Sequence, residues 1–240
     1  MISFIVPAHN EERWLGACLA SIRDSMKLLT DAYEIIVVDD ASTDATAKIA
    51  ADFNARLLKV VHRRVSAVRN SGAEIAKGES FFFVDADTVV NSAAIEAGLT
   101  LLREGAVGGG CVFEFDVPIP WWARIVHRFG TMMGRWLKIT GGCFLFCTRD
   151  AFADTGGFSE ELYAGEDMAF VEALKRRGRF ELAKPTVVTS ARKLSVVGFG
   201  EVIALLLTMA VRGAHYESER TIDFMYGERA QECRGRAATR

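Results

Sequence analysis

The sequence has no strong charge excess: 29 lysines and arginines face 31 aspartates and glutamates, for a formal net charge of -2. That balance excludes attraction of the whole molecule to nucleic acid or to an anionic bilayer. Cysteines are few, five in 240 residues, and none sit in paired metal-binding spacings. Cys143 and Cys147 are four apart but have no second pair, which excludes a zinc ribbon, and a disulfide scaffold would need a denser framework. Such thiols suit a reducing cytoplasm. Long apolar runs are missing too. The stretch 196–212 is interrupted by Glu201, and its uncharged part, Val202 to Val211, is about half the length that spans hydrocarbon. The start, MISFIVPAHNEE, has no basic segment followed by a long apolar run, so no signal peptide is expected. The glycines of GAVGGG, residues 105–110, lack the pattern of a dinucleotide fingerprint. His62, His127 and His215 have no metal-ligand spacing, whereas His9 falls in the expected pocket, where it could touch phosphate or substrate or simply make a local hydrogen bond. No repeat or low-complexity linker divides the chain.

What is present is a rhythm of strands and helices. ISFIVP, residues 2–7, reads as a buried strand, Glu11 to Ser25 as a helix with one apolar face, and Tyr33 to Val38 as a second strand ending in Asp39-Asp40. STDAT caps a further helix. LLKVVH continues the pattern, followed by a polar segment with Arg69-Asn70, a short helix to Lys77 and the strand SFFFVDAD. This order predicts βαβ units in a mainly parallel central sheet flanked by helices. Ligands bind at the carboxyl ends of such strands, so Pro7, Asp39 and Asp85 should gather at one crevice. Farther on, Ser92 to Arg103 and Glu166 to Arg177 read as helices, and GAVGGGCVFEF and ITGGCFLFCTRD each as a strand.

Three acidic groups carry chemistry. Asp85 and Asp87, in FVDADT at a strand end, can approach one divalent ion, for which Mg²⁺ or Mn²⁺ and phosphate oxygens are suitable partners. Solvated turn aspartates are the plain alternative. Asp39 and Asp40 follow a buried strand and can accept hydrogen bonds from a base N–H or a ribose hydroxyl, or simply open a capped helix with Asp44. Glu166 and Asp167 stand at a helix start, where the helix dipole favours carboxylates, and Asp167 is the candidate general base.

Taken in order, VPAHNEE, EIIVVDDASTD, RNSGAEIAKG, FFFVDAD, GGCFLF and GGFSEELYAGEDMAF resemble the motif series of family 2 glycosyltransferases, over about Ile2 to Arg192. The resemblance is closest to small bacterial, non-processive members, because an aromatic Q-x-x-R-W segment is missing and Thr189-Ser190-Ala191-Arg192-Lys193 stands in that region. It implies a GT-A type fold, a divalent cation, a nucleotide-diphosphate sugar as donor and an inverting reaction. Carried over, Pro7, Ala8, Asn10 and Glu12 would line the nucleotide pocket, Asp40 would contact the base and Asp39 support its loop. Arg69 and Asp85 would lie near the donor, and Asp87 would contact the metal. Gly141 and Gly142 would form the wall of the sugar-acceptor site, Asp167 would be the base, and Glu166 would shape acceptor binding. Arg192 and Lys193 would help hold the diphosphate. UDP is the first choice of nucleotide, although guanine offers a similar N–H.

Two other readings remain open in the sequence. DADTV also resembles the D-x-D box of haloacid-dehalogenase-like phosphotransferases, with Asp85 as nucleophile, and a binding module that has lost catalysis would keep the same motifs. The expected organisation is a catalytic domain over residues 1–195 and a helical extension over 196–240, packed on it or peripheral to a membrane. The cluster of Trp121, Trp122, Phe129, Met132, Met133 and Trp136, with Arg124, Arg128 and Arg135 interspersed, is expected to pack into the core; an acceptor cover or membrane contact is the alternative. The acceptor, whether saccharide, lipid-linked or small molecule, is left open, as are the oligomeric state and a peripheral position at the inner face of the membrane.

Overall fold

The computed structural model describes residues 1–162 and 165–193. The extension expected over 196–240, with its apolar run, lies outside the described residues, as does the side chain of Lys193.

In chain order the elements begin with β1 (Ile2–Ala8), α1 (Leu15–Met26), β2 (Tyr33–Asp40), α2 (Thr46–Asp52), β3 (Arg56–Val60), α3 (Val65–Ile75) and β4 (Ser80–Val84). Next come the short β5 (Thr88–Val89), α4 (Ser92–Arg103), β6 (Gly108–Phe115), α5 (Trp121–Leu137) and β7 (Phe144–Thr148). The last are α6 (Arg149–Thr155), α7 (Glu166–Arg177) and β8 (Phe180–Thr189). One eight-stranded sheet runs in the order β3-β2-β1-β4-β7-β6-β8-β5. It is mixed. The half β3-β2-β1-β4 is wholly parallel, as crossover helices require, whereas β7 runs antiparallel to both β4 and β6.

Strand alternation divides the core into two layers. Phe4, Val6, Phe82, Phe144 and Phe146 pack with Leu15, Leu19 and Ile95 of α1 and α4 on one face. Ile5, Phe81, Phe83 and Leu145 pack with Val68, Phe170 and Leu174 of α3 and α7 on the other. Both faces of β1 and β4 are therefore covered, and beyond Ser3 and Ser80 both strands read as continuous apolar runs. On the second face, α3 comes close because Gly72 has no side chain: a Cβ there would stand 2.5 Å from Ile5 and 2.9 Å from Val38.

Some elements differ from the sequence expectation. α1 starts at Leu15 because Glu11 to Trp14 form a turn tied to the loop before α2. β2 extends through Asp39 and Asp40, which pair with Lys59 and Val60 of β3. Arg69 and Asn70 lie within α3 and not in a polar segment before it. The aromatic segment expected in the core is instead α5, whose single buried residue is Ala123. His127 faces Phe113 and Phe115 of β6, Trp122, Val126 and Met133 are half-buried, and Trp121, Ile125, Phe129, Met132 and Trp136 are left exposed.

Candidate active site

The parallel register sets Ala8 beside Asp39, and β4 flanks β1 on its other side, so the carboxyl ends of β1, β2 and β4 share one edge of the sheet. Pro7, Asp39 and Asp85 are thus brought to the same edge of the sheet.

At the β2 end, Asp40 is buried. Its Oδ1 accepts hydrogen bonds from the peptide N–H groups of His62 at 2.8 Å and Arg63 at 3.0 Å. Its Oδ2 is buried with no hydrogen-bond partner among the described residues. A buried carboxylate oxygen without a donor is costly, so it invites a ligand N–H. Asp39 accepts from the Ser42 N–H at 3.0 Å and so shapes the following loop. Asn10, at a left-handed φ of 53°, accepts from the Thr43 N–H at 2.8 Å and donates its own N–H to Ser42 Oγ at 2.9 Å. Glu12 accepts from the Ala45 N–H at 3.0 Å. Asn10 and Glu12 therefore fasten two loops together beside Pro7 and Ala8.

In the centre, Arg69 reaches out of α3 almost completely buried. It donates to Asp85 Oδ1 at 2.8 Å, Glu166 Oε1 at 3.2 Å and the Gly142 carbonyl at 3.2 Å, with its guanidinium over the Phe158 ring at 5.1 Å. Burial works against its charge, but Asp85, Glu166 and Asp167 outweigh burial and hold its pKa above the ordinary guanidinium value. Asp85 is also fixed through its N–H, which donates to the Cys143 carbonyl at 3.1 Å. Gly142 gives the wall its closeness: a Cβ there would lie 3.0 Å from both an Arg69 guanidinium nitrogen and Asp167 Oδ2. Gly141 is less crowded, its nearest neighbour being Phe113 at 3.4 Å. Glu166 and Asp167 open α7 after Gly165, whose φ is 77°, and Asp167 Oδ1 accepts from the Met168 N–H at 2.8 Å.

The third station joins residues far apart in sequence. Arg192 makes a two-toothed pair with Glu11 at 2.7 and 2.8 Å, lies 2.9 Å from Asp87 Oδ2 and covers the Trp14 ring at 4.3 Å. Thr189 donates to Asp87 Oδ1 at 3.5 Å. Burial opposes the charge of Arg192, but the Glu11 hydrogen bonds and the charge of Asp87 raise its pKa all the same. Sequence reading did not single out Glu11 or Trp14. Glu11 stands next to Glu12 in the same motif, but its partner is 181 residues away and leaves no local signal.

Cys18 and Cys143 lie behind this acidic edge. Burial, then the charges of Asp85 and Asp87, push both thiols well above their ordinary range, so neither is a nucleophile. Among the described residues no group of three or more His, Cys, Asp or Glu could hold a metal by itself. An ion that takes most of its oxygens from phosphates and water needs only one or two carboxylates, and Asp85 with Asp87 fits that donor set. Among the described residues no helix is long and apolar enough to cross a membrane.

Residues 3–154 match the model of glycosyl transferase family 2. A poly(ribitol-phosphate) beta-glucosyltransferase of Bacillus spizizenii is 37% identical over 101 residues, which cover 39% of this chain and 16% of that protein. The fold is similar to that of a mannosyltransferase from Pyrobaculum calidifontis solved with GDP-Man and Mn²⁺, with a TM-score of 0.67 and 18% identity over 99% of this chain and 75% of the other. It is also similar to glucosyl-3-phosphoglycerate synthase from Mycobacterium tuberculosis, solved with Mn²⁺, UDP and glucosyl-3-phosphoglycerate, with a TM-score of 0.59 and 16% identity over 91% of this chain and 81% of the other. The chain spans 16 to 59% of the length of three curated relatives it matches.

Proposed function

The chain belongs to glycosyl transferase family 2, and from that premise we propose that it moves a sugar from a nucleoside diphosphate sugar, with UDP favoured, to an acceptor hydroxyl with inversion at the anomeric carbon. One arrangement carries the reading. A partnerless Asp40 oxygen, the Asp85 and Asp87 carboxylates, and Asp167 against the bare wall of Gly142 lie along a single sheet edge.

In this reading Asp40 Oδ2 accepts the base N–H, a contact that uracil and guanine can both make. UDP accompanies the mycobacterial relative and GDP-Man the archaeal one. Asn10 and Glu12 keep the nucleotide loop in shape, and Pro7 and Ala8 form its floor. Asp87 and Asp85 would hold a Mn²⁺ or Mg²⁺ ion, which when bound supplies positive charge to the departing diphosphate. Arg69 holds Asp85 and Glu166 in place and balances the buried acids. Arg192, which lies 2.9 Å from Asp87, would help hold the diphosphate, with Lys193 after it. Asp167 takes the proton from the acceptor hydroxyl as that oxygen attacks the face opposite the leaving group. Gly142 leaves the room that this approach needs, and Glu166 keeps the start of α7 fixed. The catalytic unit comprises residues 1–195.

Titration calorimetry with UDP, GDP and their sugar conjugates, each with Mn²⁺ and with EDTA, tests the reading. Selective binding that depends on the ion is expected. Absence of binding to every nucleotide in both conditions overturns it, and acyl-phosphate trapping at Asp85 would then reveal phosphotransfer chemistry instead.

A further inference from the structure

Helix α5 turns five of its large apolar side chains away from the protein. Trp121, Ile125, Phe129, Met132 and Trp136 recur every three or four residues and are 58 to 77% exposed. At about 100° per residue they form one stripe on a rod about 25 Å long. The opposite side is thin. Ala123 is buried there, Gly134 comes close to the Ile139 carbonyl, and His127 lies against Phe113 and Phe115 with ring centroids 5.3 and 5.1 Å away. The helix is well anchored at its end: Arg135 donates to the Lys184 carbonyl at 2.9 Å, Lys138 pairs with Glu181 at 2.6 Å, and Lys175 donates to the Leu137 carbonyl at 2.8 Å. The stripe is thus held outward by a fixed scaffold.

Charge says what the stripe fits. The 17 residues of α5 include no aspartate or glutamate. Arg124, Arg128 and Arg135 project along one flank of the stripe, all three exposed. Tryptophan stands at both ends of the stripe, and its ring favours the boundary between headgroups and acyl chains. A protein with a net charge of -2 has no general attraction to an anionic surface, so this local concentration of arginine beside apolar side chains is what would select one.

We propose that α5 docks this protein on an anionic lipid bilayer, lying in the membrane plane with its apolar stripe at the headgroup boundary and its arginines on lipid phosphates. The helix ends at Lys138 in a left-handed turn, and four residues later the chain reaches Gly142, whose carbonyl accepts from Arg69. Docking through α5 therefore sets the glycine wall of the site close to the lipid surface. If the sugar-transfer reading holds, an acceptor carried on a lipid is the class so presented; the docking itself does not rest on that reading.

Flotation of the full-length protein with phosphatidylcholine vesicles, and with vesicles that also contain phosphatidylglycerol, tests the proposal. Wild type should float with the anionic vesicles and stay largely behind with the neutral ones. Ile125→Glu with Phe129→Glu should lower anionic binding about tenfold or more, and Arg124→Ala with Arg128→Ala should weaken it and flatten its salt dependence. Both variants should keep the wild-type melting temperature, because the altered side chains are exposed. Four outcomes overturn the proposal: no flotation with anionic vesicles; equal flotation of the glutamate variant; a glutamate variant that melts markedly lower, which means another part of the chain covers the stripe; or a dimer in sedimentation that the glutamates dissolve, which means a second copy does.

Discussion

A guanidinium nitrogen of Arg192 lies 2.9 Å from Asp87 Oδ2, so the carboxylate assigned to a divalent ion already faces a cation from the far end of the described chain. The same guanidinium is gripped by Glu11 and rests on Trp14, which fixes where it waits.

An ion arriving at Asp87 must compete with that arginine. Arg192→Ala should therefore tighten binding of Mn²⁺ alone, by about tenfold for each 1.4 kcal/mol of competition removed, while weakening UDP binding. Calorimetry with Mn²⁺ and with UDP separately reads both effects. Unchanged or weaker Mn²⁺ binding would show that Arg192 does not compete at Asp87.

Asp167→Asn keeps the shape of the α7 start and removes the proton acceptor. Sugar transfer should fall by about 10²- to 10⁴-fold with donor affinity nearly unchanged. A rate close to wild type in single-turnover assays rules out Asp167 as the base.

Asp40→Asn offers a test of the base contact. The side-chain oxygen that holds the His62 and Arg63 N–H groups can be kept, while the partnerless oxygen becomes a donor. UDP affinity should drop about tenfold or more, with melting close to wild type. If UDP binds as before, the base is read elsewhere.

Four described cysteines are buried, and burial pushes the Cys111 thiol up to about 12 from an ordinary 9.0. In a Cys233→Ser background, Ellman's reagent should react with those four only as fast as the protein unfolds. The sign of the pH effect follows. Above pH 9 the unfolded thiol ionises while the native one does not, so its stabilisation is complete below pH 9 and drains away toward pH 12, by about 1.4 kcal/mol per unit. Denaturant titrations should show a shallower decline over that range for Cys111→Ala than for wild type.

Continuous apolar runs made β1, β2 and β4 legible, and apolar spacing with acidic or capping starts gave α4 and α7 at the bounds now seen. β8 was missed because Lys184 and Pro185 interrupt it. Those two residues fall where its register with β6 slips, so its pattern breaks in the sequence as it does in the ladder. Asn70 and Gly72 made the middle of α3 look like loop. Gly72 is in fact what lets the helix close on the sheet and deliver Arg69. The carboxylates were visible because strand ends announce themselves locally, whereas Arg69 and Arg192 came only with the family resemblance, and their pairings with these acids depend on the packing of distant segments.

Four tryptophans serve the whole chain, and they fall in two places: Trp14 beneath Arg192, and Trp121, Trp122 and Trp136 on α5. The molecule thus carries two native optical probes. Quenching of the first indole by the guanidinium will report on movement of Arg192, while a blue shift of Trp121 and Trp136, the two on the exposed stripe, will report on immersion in lipid. Variants lacking one group or the other would let the two events be timed against each other in one unlabelled protein.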